Sequence, residues 1–161
     1  MRHHGRDEDG YTLVEVLVVI ALLGVMMAIA VGGWSSWARA SQQAGTATSI
    51  QTTLRAAQQR AVTEGRSACV LFDTAADTYT VYRGACDDSG KVRVLGPIGT
   101  ESGDVEISAP AFTSATGVVS PGVTFQARGT AWAGKVLVVR RGNPKVYTIA
   151  VERLTGRVTL A

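Results

Sequence analysis

Glu15 is the only charged side chain between Tyr11 and Val31, in a run that is otherwise almost wholly apolar. A carboxylate in a membrane-crossing helix costs about 2.5–3.5 kcal/mol at the bilayer centre and less towards its end. The chemistry it offers is ion pairing, so it calls for a cation. No Lys or Arg lies within helical reach on the same run. The partner must come from another chain, or from a reaction that creates a new positive charge.

Other reactive residues are sparse. Both histidines, His3 and His4, precede Gly10, so the rest of the chain has no imidazole. That removes Ser-His-Asp and Cys-His triads and nearly every zinc site from the body. Asp73, Asp77, Asp87 and Asp88 fall in turn-like stretches, where aspartate forms turns more readily than it ligates metals. There is no phosphate-cradling glycine loop with its lysine. These observations argue against an enzyme and imply no cofactor.

Charge is the remaining chemistry. The net charge is +3, unevenly spread. From Ser120 onward Arg128, Lys135, Arg140, Arg141, Lys145, Arg153 and Arg157 face one acid, Glu152, whereas acids outnumber bases between Ser67 and Pro110. Such asymmetry marks either an acidic partner or the solvated faces of one domain.

These residues need elements to hold them. The run from Tyr11 to Val31 would rise about 32 Å as a helix, the thickness of a bilayer core. "AIAVGG" could pass for a signal-peptide cleavage site, but the length of the run and Glu15 argue against simple secretion. Trp34 and Trp37 follow, at the membrane interface or in a core. Helix is expected to continue to about Glu64, because Ile50, Leu54, Ala57 and Ala61 form an apolar stripe. Gly45 and its Thr/Ser neighbours predict a softer middle. Gly65 ends the helix.

Beyond it, "SACVLFDT" and "TYTVYRG" read as a hairpin. Further strands are expected at Val92–Leu95, Asp104–Ser108, Gly117–Gln126, Lys135–Arg140, Lys145–Val151 and Arg157–Leu160. A long N-terminal helix followed only by strands predicts an α+β fold with antiparallel sheets. With 161 residues, 46% apolar and 6% aromatic, the core must be built from Val, Ala, Leu and Ile.

The segment "G-YTLVEVLVVIALLGVMMAIAV" resembles the class III signal of type IV pilins and type II secretion pseudopilins: Gly, an aromatic residue, Thr-Leu, a hydrophobic residue, Glu, then an apolar helix. The last third, "GVTFQARGTAWAGKVLVVRRGNPKVYTIAVERLTGRVTLA", is similar to the GspH/FimT group of minor pilins and pseudopilins. The resemblance implies a leader at residues 1–10, a transmembrane helix at 11–33, its extracytoplasmic continuation at 34–65, and a β-rich pilin-like body at 66–161. It implies cleavage by a prepilin peptidase between Gly10 and Tyr11 and methylation of the new amine on Tyr11. Glu15 would pair with that amine on a neighbouring subunit. The partners implied are other pilin or pseudopilin subunits, the peptidase and the inner membrane, crossed once with the body outside the cytoplasm.

Three departures stand out. The first mature residue is Tyr11 where Phe is usual. Gly32–Gly33 replaces the family's helix-loosening proline and is expected to supply the hinge. The leader "MRHHGRDEDG" is partly acidic, so orientation rests on the resemblance rather than on positive charge.

Outside the cytoplasm disulfides persist. Cys69 and Cys86 are then expected to bridge, contributing about 3 kcal/mol in the chain-entropy model, or to remain two buried thiols. In a hairpin centred on Ala75–Ala76 the bridge needs the chain after Gly84 to fold back. An alternative function, a DNA-binding minor pilin of an uptake pilus, would use Arg140, Arg141, Lys145, Arg153 and Arg157 against the phosphate backbone. A C-terminal Gly-Arg-x-Arg motif is associated with that role in some FimT-like proteins; this chain has Gly156, Arg157 and Val158, but Thr159 where the second arginine would stand.

Overall fold

A computed structural model describes residues 12–114 and 116–161. Helix α1 spans Leu13–Glu64. The chain divides into two compact units, Met1–Arg39 and Ala40–Ala161.

In the first unit, Leu13–Ala30 is long and apolar enough to cross a membrane, and none of it is buried. A helix apolar on every side has no core-facing stripe, so its solvent is either lipid or other helices. Trp34 and Trp37 are exposed and lie against each other, 5.6 Å between ring centroids. Where a hinge is expected, α1 continues through Gly32 and Gly33 as helix.

In the second unit the helix is amphipathic. Ile50, Leu54, Ala57 and Ala61 are buried, with Ala47 added one turn earlier. The helix is unbroken at Gly45 as well, and the glycine has a packing use. A Cβ there would lie 2.7 Å from a carboxylate oxygen of Glu101, so the missing side chain lets that loop close over the helix. The roughly 1 kcal/mol penalty of a helical glycine is small beside the packing of this face.

Among the described residues nine strands follow: β1 (Ala68–Asp73), β2 (Thr78–Arg83), β3 (Val92–Gly99), β4 (Val105–Thr113), β5 (Val119–Ser120), β6 (Gly122–Phe125), β7 (Ala133–Arg140), β8 (Asn143–Val151) and β9 (Val158–Leu160). They form a four-stranded sheet, β3-β2-β1-β6, and a five-stranded sheet, β5-β4-β7-β8-β9. Every pairing is antiparallel.

Two expectations need correction. Gly117–Gln126 is two strands in two sheets rather than one. Pro121 lies between them and has no N–H to give a ladder, so the chain changes sheets there. Strand β4 runs past Ser108 to Thr113, with Pro110 inside it. A register shift between Ser108 and Ala111, with Ala109 at φ 46°, forms a bulge that accommodates the missing donor.

One core joins the helix to both sheets. Alternation puts Ala68, Val70 and Phe72 of β1 on the inner face with Val123 and Phe125 of β6, while Val136, Val138, Ile149 and Val151 come from the other sheet. Phe72 and Phe112 stack across the join at 5.9 Å. Polar ties fix the helix at both of its body ends. Gln43 is buried, and its Nε2 donates to Val138 O and Lys145 O at 3.2 and 2.8 Å. Gln58 Nε2 donates to Gly129 O and Thr155 O at 3.3 and 2.8 Å.

Candidate functional site

The start of α1 is the first region of interest. Gly10 and Tyr11 lie outside the described residues. Thr12 precedes the helix, and its Oγ1 accepts a hydrogen bond from the Glu15 backbone N–H at 3.2 Å, while its carbonyl accepts from Val16 N–H. Thr12-x-x-Glu15 is therefore a capping-box sequence whose first half is formed. The spacing was legible in the sequence, hidden behind the question of what Glu15 pairs with. Glu15 stands in the first turn and is exposed. There the unsatisfied N–H groups present partial positive charge, which offsets part of the cost of a carboxylate.

Cys69 and Cys86 are bonded. Cys69 pairs in register with Tyr82 on β2 and Thr124 on β6, not with Cys86. The chain folds back after Gly84, whose N–H donates to Ser67 O, and Cys86 N–H donates to Thr124 Oγ1 at 2.9 Å. Gly122 makes room for the bridge: a Cβ there would lie 2.8 Å from Cys86 Sγ. Two of the aspartates act locally: Asp73 Oδ1 accepts from the Ala75 and Ala76 N–H groups and Asp88 Oδ1 from Gly90. Asp77 Oδ1 accepts from Ile107 N–H, tying the β1–β2 turn to β4. Among the described residues no group of His, Cys, Asp and Glu could hold a metal ion.

The basic residues divide into two places. Arg140, Arg141 and Lys145 surround the β7–β8 turn, while Arg153 and Arg157 flank the β8–β9 turn. The 9 residues of β8, rising about 3.3 Å each, separate the two turns by roughly 30 Å. The first group is largely engaged. Arg141 pairs with Glu106, whose hydrogen bond and then charge hold the guanidinium above its ordinary range. Lys145 Nζ sits 4.7 Å from the Tyr147 ring centroid. Arg140 Nη1 is buried and has no hydrogen-bond partner among the described residues. The second group gains Arg128, on the neighbouring β6–β7 turn. Sequence spacing could not bring the two turns together: Ala131 N–H donates to Arg153 O, and the Gln58 amide bonds both Gly129 O and Thr155 O.

No constellation of nucleophile, base and oxyanion donor appears among these groups; what they offer is a membrane-length helix and a rigid body with charged turns. The model for the type II transport protein GspH matches residues 46–155, most of the body and more than half the chain. The chain belongs to the GspH family. Residues 5–31 match the prokaryotic N-terminal methylation motif. Two curated relatives, both named fimbrial protein and both from Pseudomonas aeruginosa, are 27% identical over 151 residues, covering 92% of this chain and 88% of theirs.

Solved structures agree in fold. The minor pseudopilin EpsH from the type 2 secretion system of Vibrio cholerae is similar at a TM-score of 0.57 and 14% identity, covering 74% of this chain and 96% of that one. The type IV minor pilin FimU of Pseudomonas aeruginosa is similar at 0.55 and 16%, covering 76% and 90%. This GspH-family chain is thus a structural subunit, not an enzyme: a minor pseudopilin or minor pilin of type II secretion or type IV pilus machinery, processed at its methylation motif. The family implies assembly with other pseudopilins and processing by a prepilin peptidase, and the N-terminal apolar helix is typical of inner-membrane prepilins.

Proposed function

We propose that the chain is cut between Gly10 and Tyr11, methylated on the new Tyr11 amine, and drawn from the inner membrane into a filament through residues 11–33. Glu15 guides docking by pairing with the amine of a neighbouring subunit. The single observation that carries this reading is the lone Glu15 on an apolar helix of which no part between Leu13 and Ala30 is buried. An amine freed by cleavage, with an ordinary pKa near 7.7–8.0, is a cation such a segment cannot otherwise supply. The body lies outside the cytoplasm, where the Cys69–Cys86 bridge persists.

The test separates charge from capping. Glu15→Gln keeps a capping-box side chain and removes the charge; Glu15→Ala removes both. Both variants are expected to insert and be processed, and both to lose at least tenfold in filament incorporation. Normal incorporation of Glu15→Gln would sink the ion-pair mechanism. The DNA-binding reading has less support, since Arg141 is already paired with Glu106 and the five basic residues lie on two separated turns.

A further inference from the structure

The β8–β9 turn is over-determined for a surface loop. Glu152 N–H donates to Arg157 O and Gly156 N–H to Glu152 O, at 3.0 and 3.1 Å. Thr155 Oγ1 donates to Glu152 Oε2 at 2.9 Å, Ala131 N–H donates to Arg153 O at 2.9 Å, and Gln58 holds Thr155 O from the helix. Gly156 has φ 61°, and a Cβ on it would lie 2.5 Å from Gly129 O, so the turn is locked against the β6–β7 turn. At the tip of this fixed loop Leu154 is 82% exposed. Arg153 and Arg157 flank it and Arg128 stands on the adjoining turn; all three are exposed, and none forms an ion pair among the described residues. Leu154 and Arg153 also rim a depression of about 240 Å³ that reaches Trp132.

We infer that the β8–β9 turn is a preformed docking knob, Leu154 set among Arg128, Arg153 and Arg157, that fits an apolar pocket rimmed by carboxylates on a sister subunit of the same filament. The inference rests on the assembly reading above. Charge selects the occupant: three unpaired guanidinium groups around one apolar anchor match a carboxylate rim around an apolar floor. Rigidity adds to it, since a turn already fixed loses little freedom on docking. A nucleic acid would use the arginines and leave Leu154 without a role.

The test uses the full chain in membranes, expressed with the other pilin-type subunits of its own machine, with a photocrosslinking residue at position 154. Position 17 on the apolar helix reports assembly, and position 146, exposed near the other turn, is the control. Position 154 is expected to yield an adduct with a sister subunit at least tenfold above position 146, and combined Arg128→Glu, Arg153→Glu and Arg157→Glu to reduce it at least tenfold. A silent position 154 with crosslinking at 17 would overturn the knob and leave the assembly reading intact. Silence at both would overturn the two together. Retention of a duplex DNA oligonucleotide by the detergent-solubilised chain, lost in the arginine variants but unchanged in Leu154→Ser, would reassign the turn to nucleic acid.

Discussion

The two parts of helix α1 solve opposite problems with one backbone geometry. Between Leu13 and Ala30 every side chain is exposed, and nearly all are apolar. Between Ala40 and Glu64 one apolar stripe, Ala47, Ile50, Leu54, Ala57 and Ala61, is buried, with Gln43, Arg55 and Gln58 reaching past it to backbone carbonyls of the strands and turns. The first part can be stable only in lipid or among other helices. The second brings its own partner. A subunit that must first reside in a membrane and then join a filament needs this division, because its movable contacts must not be those that keep the body folded.

The largest expected effect comes from breaking the second part. Leu54 is fully buried, and Leu54→Ala should destabilise the body by about 2–5 kcal/mol. Denaturant unfolding followed by the fluorescence of Trp132, which is 8% exposed, would read the loss. Membrane insertion should be unchanged. If the body were unaffected, the stripe would not be the helix's anchor.

The converse variant is Leu22→Arg, in the middle of the exposed apolar run. A charge at a bilayer centre costs about 2.5–3.5 kcal/mol on insertion scales. The fraction inserted, read by glycosylation or protease protection, should fall, while the unfolding midpoint of whatever inserts stays in place. Loss of body stability in that variant would show that the two parts are energetically coupled.

These two regions also differ in how far they could be read from sequence. The membrane run, Glu15 and the stripe from Ile50 to Ala61 are local patterns, and local periodicity reports them directly. Strand existence was equally local, and the β1–β2, β7–β8 and β8–β9 neighbours follow from short turns. What the sequence did not disclose were the contacts made across distance. Gly45 and Gly32–Gly33 look like helix weakeners, yet the first is a seat for Glu101 and the helix passes through the second pair. Arg128 cannot be assigned to the Arg153 turn without knowing that one amide, Gln58, binds Gly129 O and Thr155 O together. The same holds for Arg141, whose partner Glu106 lies 35 residues away on β4.

A smaller effect should follow from removing one polar tie. Gln43→Met keeps side-chain length but leaves Val138 O and Lys145 O short of a buried donor, at a cost of about 1–3 kcal/mol. Amide exchange near the β7–β8 turn should rise more than exchange at β1. Uniform loosening would mean that Gln43 contributes through packing rather than by fixing that turn.

The smallest expected effect lies at Thr12, and it sharpens the comparison most. The hydroxyl that accepts from Glu15 N–H holds the first turn of the part of α1 that has no partner of its own. Thr12→Val keeps the shape and removes the acceptor, which should weaken the helix start by about 0.5–2 kcal/mol. Exchange of the Glu15 amide should accelerate severalfold in membrane-embedded protein, Thr12→Ser should restore it, and the body's unfolding midpoint should not move. If Thr12→Val exchanges like the parent, the membrane alone orders this turn, and Glu15 is held there without help from the residue three positions before it.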